Sequence, residues 1–361
     1  MNKRLLKIMF FLSLVPIIGF SNPNPVKGKY EKSKTINKEF NVNANALLII
    51  NNKYGNVDVV SWNENRVVIE VKITVNGNNE SKVFERLKNI DVHFTNSSSK
   101  VTAKTTFGSK SSWSGWKNNS NMQFEINYKV KMPINNQADF KNDYGSISLN
   151  ELKGRADINC DYGKIIIGSL FHDQNSINID YTNNSTIEFM NGGSINADYS
   201  TLTVEKAKNI DLNADYSTIV FENLEDLEFN CDYGKLQVDH GNNISGNSDY
   251  LSMRFGTIYK NLNVEADYGS LRIEKLMSGF ENVQIDTDYT GIKIGLDPSA
   301  SFNFIADLKY AGFSFEGNNV TYNKKIVKNT SKYYEGYVNK ENSSSTIEIS
   351  SDYGSVKFYN N

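Results

Sequence analysis

The stretch Ser194-Ile195-Asn196-Ala197-Asp198-Tyr199-Ser200-Thr201-Leu202-Thr203-Val204 returns 17 residues later as Asp211-Leu212-Asn213-Ala214-Asp215-Tyr216-Ser217-Thr218-Ile219-Val220-Phe221. In both, Asp-Tyr-Ser sits between runs in which apolar side chains fill every second position. That alternation marks a strand with one buried face, and a helical period does not fit it. Working outward, Asp-Tyr recurs at Tyr144, Tyr162, Tyr181, Tyr233, Tyr250, Tyr268 and Tyr289, at intervals of 17 to 21 residues, followed by Gly, Ser or Thr except at Tyr250, where Leu251 follows. The series continues through Lys309-Tyr310-Ala311 to Asp352-Tyr353-Gly354. The gap of 43 residues before that last copy leaves room for a disguised one, expected near Tyr333 or Tyr334.

Four residues before the tyrosines stand Phe140, Ile158, Ile177, Ile195, Leu212, Phe229, Val264, Ile285 and Ile349, and three and five after them stand pairs such as Ile147/Leu149, Ile165/Ile167 and Leu271/Ile273. The buried parity switches across the tripeptide, so it contains a corner, and the small residue after the tyrosine is the expected bend. A third apolar point follows at Leu152, Leu170, Leu224, Ile258 and Leu276. A unit of two or three short strands cannot bury its own face and must stack on its neighbours. The predicted fold is therefore all-β: a single-stranded parallel β-helix with turns of 17 to 21 residues over 136–361, right-handed by preference. Two residues before the tyrosine the sequence prefers small side chains, as at Ala197, Ala214, Ser248 and Ala266, and Cys160 and Cys231 both fall at this inner position. Four turns apart, they would be roughly 19 Å from each other, too far for a disulfide. They are expected to be free, buried thiols.

The 361-residue chain balances 39 Lys+Arg against 41 Asp+Glu, with 39% hydrophobic residues. This excludes a strongly basic nucleic-acid binder and a mostly disordered chain. About one residue in seven is Asn and only five are Pro, which suits stacked strands with polar turns. Lys3, Arg4 and Lys7 precede the apolar run Ile8 to Ile18 and the exit Gly19-Phe20-Ser21, the pattern of a secretory signal peptide over 1–21. No later run is long and apolar enough to span a bilayer. The mature protein is expected to be exported to the periplasm or outer cell surface, with no transmembrane segment.

Residues 26–135 read differently. Tyr54-Gly55-Asn56-Val57-Asp58-Val59 looks like one early copy of the turn, Arg66 to Val75 alternates as a strand, Glu80 to Asn89 carries Val83 and Leu87 at helical spacing, and Lys100 to Phe107 and Met122 to Met132 resume as strands. This is the expected strand-rich cap with one helix, covering an end of the stack that would otherwise expose unpaired backbone.

Asn52-Lys53-Tyr54-Gly55-Asn56-Val57 followed by Trp62, the strand-helix-strand segment ending at Pro133, the serial Asp-Tyr-Gly turns, and the closing Tyr334-Glu335-Gly336 to Asp352-Tyr353-Gly354-Ser355-Val356 together resemble the putative adhesin family of the bacterial cell envelope, strand-repeat proteins common in Bacteroidetes. The resemblance covers nearly the whole mature chain. It implies an envelope protein, and it transfers no catalytic residues.

The chemistry-bearing residues are sparse. His93, His172 and His240 have no Cys, Asp or Glu partner at a metal-ligand spacing. Asp239-His240-Gly241 is similar to short motifs of pectin-cleaving β-helices, without the carboxylate and basic set those enzymes need. No metal or cofactor is expected. The one array is a turn ladder of Asp143/Tyr144, Asp161/Tyr162, Asp198/Tyr199, Asp215/Tyr216, Asp232/Tyr233, Asp249/Tyr250, Asp267/Tyr268 and Asp288/Tyr289, with Asp180/Tyr181 between. Stacked carboxylates about 5 Å apart repel by roughly 1 kcal/mol even in water. Each Asp is therefore expected to cap its own turn through backbone N–H groups while the rings stack, the other reading being a Ca²⁺-binding edge. Trp113 and Trp116, in the polar loop Ser111 to Lys117, are candidate ligand-binding residues, since exposed aromatics stack on sugars or anchor a partner. The functional expectation is a non-enzymatic adhesin-like binding or structural module whose partner is a surface glycan or envelope protein. The alternative is a carbohydrate-active enzyme, a polysaccharide lyase or hydrolase, on the same scaffold.

Overall fold

A computed structural model describes residues 28–108, 122–317 and 319–360. The expected signal peptide and the Trp113/Trp116 loop lie outside the described residues. The described chain is all-β with one helix, and its 26 strands join in one long mixed sheet that does not close on itself.

From Gln137 to Leu296 each repeat places one strand before its tyrosine and one after. Each strand pairs in parallel with its equivalent one repeat on. Before the tyrosine, Phe140, Ile158, Ile177, Ile195, Leu212 and Phe229 are successive register partners. After it, Leu149, Ile167, Ile187, Val204, Phe221, Val238, Phe255 and Ile273 are. Leu152, Leu170, Met190, Ala207 and Leu224 form the third column. All are buried, so the core is built from columns of like apolar side chains and its formation is driven by their removal from water. One layer breaks the column informatively: Gly246 replaces an apolar residue opposite Phe229, and a Cβ there would collide with the Phe229 ring. Cys160 and Cys231 are buried and free, and burial pushes both thiols up to about 12.

The corner differs from its expectation. In every repeat the residue in the left-handed region is the tyrosine itself, with φ between 50° and 63° from Tyr54 to Tyr353. A bulky side chain in this region costs about 1–2 kcal/mol. Two interactions hold it there. From Tyr54 to Tyr289 each tyrosine N–H donates to the Asp carbonyl of the next layer, as Tyr199 to Asp215 O and Tyr216 to Asp232 O at 3.0 Å, while Tyr353 donates to Lys309 O and Tyr310 to Thr330 O, both at 2.8 Å. The rings stack face to face at 4.7–5.1 Å with interplanar angles of 1–9°. The following residue serves packing instead. A Cβ on Gly163 would run into the carbonyl oxygen of Gly145. Where Ser stands, its buried hydroxyl joins two layers: Ser217 Oγ accepts from Ser200 N–H at 2.9 Å and donates to Ala197 O at 2.8 Å.

The two ends are built from distant chain. Leu47–Lys53 pairs in parallel with Gln137–Asp143, and the Tyr54 ring stacks on Tyr144. This junction is polar inside. Asn142 stands where most other repeats have a small residue, and its Nδ2 donates to Gly55 O at 2.8 Å. Asn52 Nδ2 donates to Asn142 Oδ1 at 3.1 Å and Thr105 Oγ1 to Asn52 Oδ1 at 2.8 Å. The helix Glu80–Asn89 is capped by Asn79, whose Oδ1 accepts from Lys82 N–H at 3.0 Å, and buries Val83, Arg86 and Leu87.

At the other end the final copy is not the last layer. Thr346–Asp352 lies between Asn282–Asp288 and Phe302–Lys309, parallel to both, and the Tyr353 ring lies between Tyr289 and Tyr310. No turn is hidden at Tyr333 or Tyr334. Those residues belong to Ser331–Val338, which runs antiparallel to Phe302–Lys309 and to Val320–Val327. The outermost strand Val320–Val327 is mostly exposed and carries Lys324 and Lys325, charges that discourage edge-to-edge pairing.

Candidate functional site

Outward-facing residues form columns across the strands, and the geometry of the surface follows from them. Directly before the tyrosines runs the Asp column. In two of its layers a carboxylate reaches the next layer: Asp249 N–H donates to Asp232 Oδ1 at 2.8 Å and Asp288 N–H to Asp267 Oδ1 at 3.2 Å. Partial burial, and then the charge of neighbouring column members, hold Asp161, Asp180, Asp215 and Asp288 above the usual carboxylate range. A lysine closes the column at each end, Lys53 on Asp143 at 2.5 Å and Lys309 on Asp352 at 3.2 Å. Among the described residues no group of three His, Cys, Asp or Glu is placed to hold a metal ion. Beside the column a shallow groove of about 400 Å³ is lined by Asn230, Asn247, Glu265 and Asp286, three residues before their tyrosines.

Further round lies the larger groove, about 950 Å³. One wall carries Asp211, Glu228, Ser245 and Asn263, and the other Asn209, Asp226, Asn243 and Asn261, with Arg155, Asp173 and Gln174 at one end. The second wall is a hydrogen-bonded ladder. Asn243 Nδ2 donates to Asp226 Oδ1 at 2.5 Å, Asn261 Nδ2 to Asn243 Oδ1 at 2.9 Å, and Asn282 N–H to Asn261 Oδ1 at 3.1 Å. Sequence reading missed this wall. The signal was there: Asn or Asp stands seven residues before Tyr216, Tyr233, Tyr250, Tyr268 and Tyr289. Along the first wall Asp211 and Glu228 are register partners on adjacent strands, which lie about 4.8 Å apart in a sheet.

The histidines are dispersed. His93 lies on Ile90–Asn96 opposite Lys104, His172 Nδ1 accepts from Gln174 N–H at 3.0 Å, and His240 Nδ1 is 3.4 Å from the Tyr259 hydroxyl. None joins the groove wall of amides and carboxylates. Trp62, quoted for the family resemblance, packs its ring under Arg66 and donates Nε1–H to Arg66 O at 2.9 Å.

No family model and no curated protein matches the chain. Among solved structures it is similar to a putative cell adhesion protein from Clostridium sporogenes, at 12% identity and a TM-score of 0.18, over 91% of this chain and 100% of that one. It is also similar to a putative adhesin from Parabacteroides merdae, at 11% identity and a TM-score of 0.30, over 75% and 95%. A third is a putative adhesin from Bacteroides fragilis, at 10% identity and a TM-score of 0.22, over 90% and 97%.

Proposed function

We propose that the protein is an exported, adhesin-like binding module of the cell envelope, without catalytic activity, and that its ligand is an extended polar chain, a glycan, lying along the larger groove. In this reading the scaffold is a parallel β-helix over 136–361 and residues 26–135 form its strand-rich cap. The in-register parallel pairing of like residues supports the scaffold, and the leader-like N-terminus supports export. The groove itself carries the reading: its walls offer amide donors, hydroxyls and carboxylate acceptors at regular layer spacing over several turns, which matches the repeated hydroxyls of a polysaccharide better than a single compact ligand. Trp113 and Trp116 are proposed as a second, stacking contact. The turn ladder of Asp and Tyr is assigned a structural role.

One observation favours the alternative reading. Asp211 and Glu228 are register partners on adjacent strands, and the roughly 4.8 Å between such strands is close to the carboxyl separation of about 5–5.5 Å in two-carboxylate glycosidases of the retaining type. The test is a glycan array with the purified protein, followed by an assay for released sugars. Binding without release, weakened by Asn243→Ala and by the double Trp113→Ala/Trp116→Ala variant, is the expected outcome. Release abolished by Glu228→Gln would establish the enzyme instead, and silence in both assays would overturn the glycan reading.

A further inference from the structure

Phe302–Lys309 follows Gly291–Leu296 in the chain but does not pair with the layer before it. It leaves a slot one strand wide, about 10 Å between the flanking strands. The slot is filled by the last described residues, Thr346–Asp352 and Val356–Asn360, after an antiparallel excursion through Val320–Val338. Thr346–Asp352 and residues 356–359 pair on both edges. Ile347, Ile349, Val356 and Phe358 are buried, and Phe358 packs edge-on to Phe313 at 5.2 Å and Phe304 at 6.2 Å. Two ion pairs join the segment to the flank it shares with 302–316, Lys309 to Asp352 at 3.2 Å and Lys357 to Glu316 at 2.7 Å. Among the described residues the segment's covalent link to the rest is the connection 339–345, where Asn339 and Asn342 adopt positive φ.

We infer that residues 346–360 are an exchangeable strand pair and that the partner this slot fits is a second copy of the same chain, which donates its own segment in return. The argument is one of equivalence. Every pairing, ring contact and ion pair the segment makes within its own chain is available unchanged in another copy, so exchange alters only the connection and the number of molecules. The slot supplies two unpaired strand edges facing each other, the strongest form of the template used when a peptide adds a strand to a sheet. Because the segment follows both flanking strands in the chain and is separated from them by the excursion through 320–338, the acceptor stands open until the segment arrives. Within one chain a short connection gives an effective concentration in the millimolar range, so the monomer prevails in dilute solution and the exchanged dimer at high local concentration.

The test uses the full chain. Equal amounts of ¹⁴N- and ¹⁵N-labelled protein are unfolded together and refolded at about 1 mM, comparable to the intramolecular value, and at about 10 µM, roughly a hundredfold below it. Separated monomer and dimer are then treated with a carbodiimide, which joins amines to carboxylates already in contact. The expected result is dimer at the higher concentration only, in which about half of the Lys309–Asp352 and Lys357–Glu316 cross-linked peptides pair one isotope with the other, and monomer with no mixed peptides. Dimer whose cross-links are all of one isotope, or absence of dimer at both concentrations, overturns the proposal. The outcome is independent of any glycan, so it stands or falls apart from the function proposed above.

Discussion

From Tyr144 to Tyr289 each layer is laid down by the residues that follow the previous one, whereas the layers of Tyr54 and Tyr353 are delivered from far along the chain. Asn52 meets Asn142 across 90 residues, and Tyr353 enters between Tyr289 and Tyr310. The turn is the same in both settings, with left-handed tyrosine, stacked ring and N–H to the next layer. The difference lies in what surrounds it. The middle relies on uniform apolar columns. The ends add particular interactions: an amide cluster at Asn52/Asn142, a cluster of phenylalanines at Phe304/Phe313/Phe358, and the lysine pairs at Asp143 and Asp352. Pairing across a long loop costs more chain entropy than pairing the next repeat, and contacts specific to one partner select the correct layer from many that look alike.

The largest effects come from the phenyl columns. Phe358→Ala at the inserted layer and Phe221→Ala in the middle should each cost about 3–5 kcal/mol in chemical denaturation. Hydrogen exchange should separate them: the first releases amides of 302–316 and 346–360 while the middle stays protected. Equal loss of protection everywhere would erase the distinction between ends and middle. Next, two equivalent inner positions can be compared. Asn142→Ala removes the buried amide that Gly55 O and Asn52 depend on and should cost about 1–3 kcal/mol, and Cys231→Ala should cost less. A reversed order would show that the amide cluster does not hold the junction.

A smaller effect tests the corner. Tyr216→Ala loses two stacking partners and keeps a Cβ at positive φ, whereas Tyr216→Gly loses the same stacking without that strain. The Gly variant should be the more stable by about 1 kcal/mol, and Tyr353 should give the same order if the turn is equivalent at the ends. Smallest is the Asp column. Asp161, Asp180, Asp215 and Asp288 are raised in the folded state, so folding takes up protons, and their contribution to stability is present at low pH and lost as pH rises through the folded values. Glu274 and Asp297 act oppositely: held down to about 2 by Arg272 and by Ser299 respectively, they lose their contribution as pH falls toward that value. Melting temperature should therefore rise modestly on acidification from neutral pH toward the ordinary Asp range, and Asp198→Asn with Asp215→Asn should flatten that rise.

Much of the middle was legible because period and burial coincide there. Ile158, Ile177 and Ile195 alternate, recur at the repeat length and meet in register. The free cysteines followed from the same spacing. The bend residue was misread because small residues carry the usual turn signal, and only the backbone reveals that stacking holds a tyrosine in a conformation it rarely adopts. Layer order at the C-terminal end was illegible in principle: Asp352-Tyr353-Gly354 has the same local chemistry as every other copy, so spacing alone assigns it to the end of the series. The groove wall at Asn209, Asp226, Asn243 and Asn261 was hidden by abundance, since Asn is common throughout and a polar column does not stand out as an apolar one does.

Twelve phenol rings, from Tyr54 through Tyr310, are held parallel to within a few degrees at nearly constant separation. Their electronic transitions are thereby coupled along one axis, and the protein contains an ordered chromophore array that reports on its own continuity. Displacing Tyr353 interrupts that array between Tyr289 and Tyr310, so near-ultraviolet circular dichroism should register the opening of a single layer while the far-ultraviolet strand signal is almost unchanged.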